Sequence, residues 1–224
     1  MEQRAHFNQK LDELRMQVLR MASMAQEAVS NAVTAFIEND SDLAEDVIVN
    51  DDKINALENE IDKFNLELLA LDQPMARDLR LIVGAMRITV NLERLGDEAG
   101  NLAHRAVFLS TRSEMEPAPK MRELAETAKD MLNLAVRAYA DEDSDLASKI
   151  CMMDNKADQL NVDILKDFIS QMVGESRIVE RGVHSIMAAR HLERIADLAT
   201  NVAECVIFIV DGENVKHGNC RGEL

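Results

Sequence analysis

Leu92-Glu93-Arg94-Leu95-Gly96-Asp97-Glu98-Ala99-Gly100-Asn101 returns one hundred residues later as Leu192-Glu193-Arg194-Ile195-Ala196-Asp197-Leu198-Ala199-Thr200-Asn201. Arg77, Val83 and Ala103 keep the same offset with Arg177, Val183 and Ala203. Upstream, Asp40-Ser41-Asp42-Leu43-Ala44 recurs as Asp143-Ser144-Asp145-Leu146-Ala147, and Asp51, Lys53, Leu57 and Ile61 match Asp154, Lys156, Leu160 and Ile164, all at an offset of 103. The chain is an internal duplication. The change of offset places a three-residue gain or loss in the turn near Pro74 or Gly174.

Each repeat reads as three helices separated by turn signals. The first helix is expected from about Phe7 to Glu38, the second from Asp42 to Leu71 after the capping chemistry of Asn39-Asp40-Ser41, and the third from near Met75. The second repeat predicts helices near 120–140, 144–172 and 177–210. Between them lies a linker with Ser110, Thr111, Pro117 and Pro119 that continues no helix. The expected fold is all-α, with two pseudo-symmetric antiparallel three-helix bundles over residues 1–112 and 113–224. Apolar residues at alternating steps of three and four mark the core faces. In the third helix these are Leu81, Ala85, Ile88, Leu92, Leu95, Ala99, Leu102 and Ala106. In the sixth they are Ser185, Ala188, Leu192, Ile195, Ala199, Val202, Val206 and Ile209.

Bulk properties narrow the class. The 224 residues are 47% hydrophobic and 29% charged, with no Trp and three Pro, which suits long amphipathic helices. A net charge of −16 and a pI near 4.7 repel a phosphate backbone, so nucleic acid is not an expected partner. The N-terminus lacks an apolar signal segment and no run approaches a membrane span, so a cytoplasmic chain without membrane insertion is expected. Cys151, Cys205 and Cys220 are odd in number and widely spaced, which predicts reduced thiols without a site role.

The residues that carry chemistry lie off the core faces. Glu93, Asp97 and Asn101 form one line on the third helix, and Glu193, Asp197 and Asn201 repeat it on the sixth. Carboxylates at i and i+4 repel by a few tenths of a kcal/mol on a solvated helix, a sign that a bound cation reverses. The second helix offers Asp51, Asn55, Glu58 and Asp62, and the fifth offers Asp154 and Asp158. Antiparallel packing of these helices would bring both rows to one site per repeat, with Gly96 and Gly100 leaving room beside it. Such oxygen donors suit iron, manganese, magnesium or calcium, and zinc stays open as well. The competing reading is a solvated acidic face ion-paired to Arg94 and Arg194. An apolar strip of Leu79, Ile82, Val83, Met86 and Val90 is expected to run exposed into the row. No Glu-x-x-His motif, Walker A loop, G-x-G-x-x-G or G-x-S-x-G occurs, so no catalytic or nucleotide-binding residues are assigned.

The doubled Leu-Glu-Arg-x-x-Asp motif, the two Asp-Ser-Asp-Leu-Ala segments and the ending Val210-Asp211-Gly212-Glu213-Asn214-Val215-Lys216-His217 resemble the PhoU family over nearly the whole chain. The resemblance implies a cytoplasmic, often dimeric regulator that restrains phosphate uptake and the phosphate-starvation response, acting between the phosphate ABC transporter and a sensor histidine kinase. It further implies a metal, an iron cluster first, at Glu93 with Asp97, Glu193 with Asp197, Asp154 with Asp158, and Asp51 with Asn55. Asn55 replaces a carboxylate by an amide, so the first site is expected to be weaker or to recruit Glu58. The alternative is a metal-storing or metal-dependent hydrolytic or redox bundle using the same carboxylates.

Overall fold

The structure, a computed structural model, describes residues 2–112 and 118–215. Six α-helices follow one another: α1 Glu2–Glu38, α2 Ser41–Asp72, α3 Ala76–Ser110, α4 Pro119–Asp141, α5 Ser144–Gly174 and α6 Val179–Asp211. No β-strand occurs among the described residues. The boundaries follow from local chemistry. Asp40 caps α2, accepting from the backbone N–H groups of Asp42 and Leu43 at 3.1 and 3.0 Å, and Asp143 accepts from Leu146 N–H at 2.8 Å at the start of α5. Pro119 opens α4 at its first position, where a missing N–H costs nothing. Gln73-Pro74-Met75 has no counterpart in the second repeat; where α3 begins directly, the second repeat starts with a short 3-10 turn, Ser176–Ile178. Pro117, Lys216, His217 and Cys220 lie outside the described residues.

Every residue of the two stripes read from α3 and α6 is buried. In the other long helices Val47, Ile54, Leu57, Ile61 and Leu68 of α2 and Ile150, Ala157, Leu160, Ile164 and Phe168 of α5 are buried with them. Within each repeat the three helices pack on one another, and α3 also packs along α6. Its partners there run in opposite sense: Gly84 meets Ile209, Glu98 meets His191 and Arg194, and Arg105 meets His184. The seam is therefore antiparallel, and one continuous core runs through both repeats.

This second packing face was not legible in the heptads. One expectation changes on the other side of α3: Ile82 is fully buried rather than part of an exposed strip, standing on the same side as Gly96, which meets Ile54 of α2. Leu79 and Val90 remain exposed, as do Val179, Val183 and Met187 on α6. At the seam's centre Glu98, 8% exposed, accepts from Arg194 at 3.1 Å and pairs with His191 Nδ1 at 2.7 Å. A further link joins the repeats: Glu142, in the left-handed region at φ 52°, holds both Arg15 of α1 and Arg77 of α3.

The cysteine expectation is corrected. Cys151 is disulfide-bonded, while Cys205 is a buried thiol. Sequence spacing gave no sign of this, because a disulfide requires Cα atoms within roughly 7 Å, a distance that separation along the chain does not fix.

Asn65 is fully buried in α2, and neither end of its amide has a hydrogen-bond partner. Its counterpart in α5 is Phe168, 4% exposed. An unpaired buried amide costs about 1–3 kcal/mol. Asn65→Leu is therefore expected to raise stability by about 1 kcal/mol, read as a higher urea midpoint at unchanged slope; a lower midpoint would show that the amide has a stabilising role.

Candidate functional site

The carboxylate rows converge as the antiparallel packing requires. In the first repeat α2 and α3 bring Asp51, Glu58, Glu93 and Asp97 within electrostatic reach of one another. Gly96 permits the approach: a Cβ there would lie 3.0 Å from Asp51 Oδ1 and 3.0 Å from Ile54 Cδ1. Gly100 faces open space. In the second repeat α5 and α6 gather Asp154, Asp158, Glu193 and Asp197 in the same way.

Both grooves penalise their own charge. Burial, then Asp97, raises the pKa of Asp51, with Asn55 opposing by a hydrogen bond. Burial, then Asp97 and Glu58, raises Glu93. Burial followed by Asp62 and Asp97 raises Glu58. In the second groove burial and then Asp158 raise both Asp154 and Asp197, while Glu193 is raised by burial against the opposing Arg190.

Several oxygens are also left over. Asp51 Oδ1, Asn55 Oδ1 and Glu193 Oε2 are buried atoms without a hydrogen-bond partner. Arg190 donates to Glu193 Oε1 at 3.4 Å and is ion-paired to Oε2 at 3.4 Å, where it makes no hydrogen bond. Among the described residues no group of three or more His, Cys, Asp or Glu side chains is arranged to hold a metal ion. What the grooves hold is mutually repelling, partly desolvated oxygen donors with unused lone pairs. Oxygen donors of that kind are the type that hard cations take.

The two grooves carry the same number of acids by different routes. Asn55 and Glu58 of α2 correspond to Asp158 and Asn161 of α5, so the carboxylate missing at position 55 reappears one helical turn further on. Glu58 is thus the residue that completes the first groove. Thr200 is the one that sequence reasoning missed in the second, donating to Asp154 Oδ1 at 3.4 Å. Its counterpart is Gly100, so the repeat comparison concealed it. Asn101 is exposed, and Asn201 lines a separate pocket on the α3–α6 seam. Four-residue steps drift by about 40° per step, which carries both asparagines round the helix from Glu93 and Glu193.

Fold and site together define a tandem-repeat helical protein with an acidic interhelical groove in each repeat. The PhoU domain model matches residues 18–106 and 121–206. The phosphate-specific transport system accessory protein PhoU homolog of Pseudomonas putida is 37% identical over 94% of this chain and 83% of its own length. Its namesake from Aquifex aeolicus is 38% identical over 93% of this chain and 94% of its own. The crystal structure of PhoU from Pseudomonas aeruginosa superposes with a TM-score of 0.90 at 36% identity, covering 92% of this chain and all of that one. That of the phosphate transport system regulatory protein PhoU from Streptococcus pneumoniae gives 0.83 at 26% identity, over 93% of this chain and 99% of that one. The chain belongs to the PhoU family.

Proposed function

We propose that this protein is an accessory regulator of the phosphate-specific transport system. The observation that carries the reading is the match to relatives of that name over 93–94% of the chain, through both repeats. In this reading it works in the cytoplasm, as a homodimer, restraining phosphate uptake and the phosphate-starvation response between the phosphate ABC transporter and a sensor histidine kinase. No helix among the described residues is long and apolar enough to cross a membrane, which accords with a partner that docks on membrane proteins. The exposed apolar residues Leu79, Val90, Val179, Val183 and Met187 supply surface for such docking.

The grooves serve this role as cation sites. Asp51, Glu58, Glu93 and Asp97 would hold a hard metal in the first repeat, and Asp154, Asp158, Glu193 and Asp197 in the second. The metal would neutralise the groove and fix α2 on α3 and α5 on α6; no catalytic step is assigned to it. Deleting the gene is expected to leave phosphate-starvation genes expressed in phosphate-replete cells, measured by a starvation-promoter reporter. Reporter activity that stays low in the deletion strain would remove the regulatory reading.

A further inference from the structure

The α3–α6 seam is built from two related halves, and only one of them is internally neutralised. On one side Glu98 of α3 takes the Arg194 guanidinium and His191 of α6. Exchanging the repeats turns these residues into Leu198, Arg94 and Asn91. On this second side the carboxylate is replaced by a leucine, yet the arginine is kept. Arg87, one helical turn earlier at the other flank of Asn91, adds a second cation where α6 has Met187.

The result is a cavity of about 400 Å³ lined by Arg87, Asn91, Arg94 and Asn201, with Asp62 of α2 also in its wall. Among the described residues neither arginine takes part in a salt bridge. Arg87 lies over the Phe208 ring at 4.6 Å, which fixes its plane without consuming its donors. Asn91 Nδ2 donates to the Arg87 carbonyl at 2.8 Å and keeps a second N–H. In a chain of net charge −16, two guanidiniums and two amides facing one cavity need a reason.

We propose that this cavity binds hydrogen phosphate. The two guanidiniums supply forked N–H donors suited to a tetrahedral oxyanion. Asp62 selects the occupant. An ionised carboxylate is an acceptor only, so it rejects an anion that presents nothing but lone pairs and accepts one that still carries a P–OH. Hydrogen phosphate keeps that proton across the neutral range, sulfate has none, and a phosphomonoester has lost most of it by pH 7.5 because its second pKa is near 6. Glu93, beside Arg94 on α3, weakens the local positive field. The site stands on the cavity's own chemistry, so its failure leaves the regulatory reading intact.

Calorimetric titration of full-length, chelator-treated protein at pH 7.5 tests this, the chelator preventing phosphate from binding through metal in the acidic grooves. Inorganic phosphate is expected to bind saturably, with sulfate and phosphoserine weaker by about tenfold, as for loss of one charge-assisted hydrogen bond. Arg94→Ala, at an exposed position, should weaken phosphate about tenfold or more with unchanged helical circular dichroism. Asp62→Asn should abolish the preference over sulfate, since an amide can donate to either anion. The proposal is overturned by absent saturation in the wild type, by Arg94→Ala binding phosphate as the wild type does, or by sulfate binding as tightly as phosphate.

Discussion

Manganese(II), added to chelator-treated protein at a hundredfold excess over its dissociation constant, is expected to raise the thermal midpoint at pH 7 by about 5–10 °C per site. The size follows from linkage: a ligand at that excess contributes about 2.7 kcal/mol, and 1 kcal/mol moves a chain of this length by about 2–4 °C. Asp154→Asn with Asp197→Asn should remove the second repeat's share of the rise. The same pair should leave the metal-free protein as stable as the wild type or slightly more so, because it relieves burial and mutual repulsion. Asp51→Asn with Asp97→Asn performs the same test on the first groove. Comparing the two pairs shows whether Glu58 makes good the amide at Asn55 or the second groove binds more tightly.

The metal-free protein carries a matching pH signature. Asp51, Glu58, Glu93, Asp154, Glu193 and Asp197 all have folded-state pKa values above their ordinary ones. Between the ordinary and the raised values the native state binds more protons than the unfolded state, so these groups make stability fall as pH rises through that window. Their contribution favours pH 5 over pH 7 without metal, and manganese should reverse the order because it competes with protons for the same oxygens. A midpoint at pH 7 that ignores manganese, or that rises in both asparagine pairs as far as in the wild type, would remove the cation reading.

Gly84→Val is expected to destabilise the protein by about 1–3 kcal/mol, a fall in midpoint of roughly 2–12 °C. Gly84 is buried where α3 crosses α6, and a Cβ built there would fall inside the contact distance of Ile209 Cγ1 and Cδ1. Ile209 is itself 3% exposed and has little room to turn away. Gly100→Ala on the same helix is the control. Nothing lies within 4 Å of a Cβ at that position, so the better helix former should stabilise by up to about 1 kcal/mol. If both variants melt with the wild type, the close approach of α3 and α6 is not a determinant of stability.

The helices and their limits were legible because they are written in local chemistry: Asp40 and Asp143 as caps, Pro119 as a first-turn residue, and stripes with a helical period. The acidic grooves were legible because duplication singled out Glu93, Asp97, Glu193 and Asp197, and because two rows on antiparallel neighbours must meet. What escaped depends on a third contact that no single helix encodes. The pairing of Glu98 with His191 and Arg194 and the place of Asn201 follow from α3 lying along α6. Thr200 escaped for another reason: comparing repeats finds what they share, and Gly100 shares nothing with it.

The antiparallel seam has a further meaning for how the molecule can change. Two separate copies of a one-repeat chain, meeting across a twofold axis, would have to present the same residue on both sides of that axis. Fusing the copies into one polypeptide lifts that obligation while keeping the partners permanently in register. Glu98 against Leu198, Glu58 against Asn161 and Thr200 against Gly100 are differences that no homodimer of half-length chains could encode. The molecule is in effect a heterodimer specified by one gene, able to specialise either half without having to find a second partner.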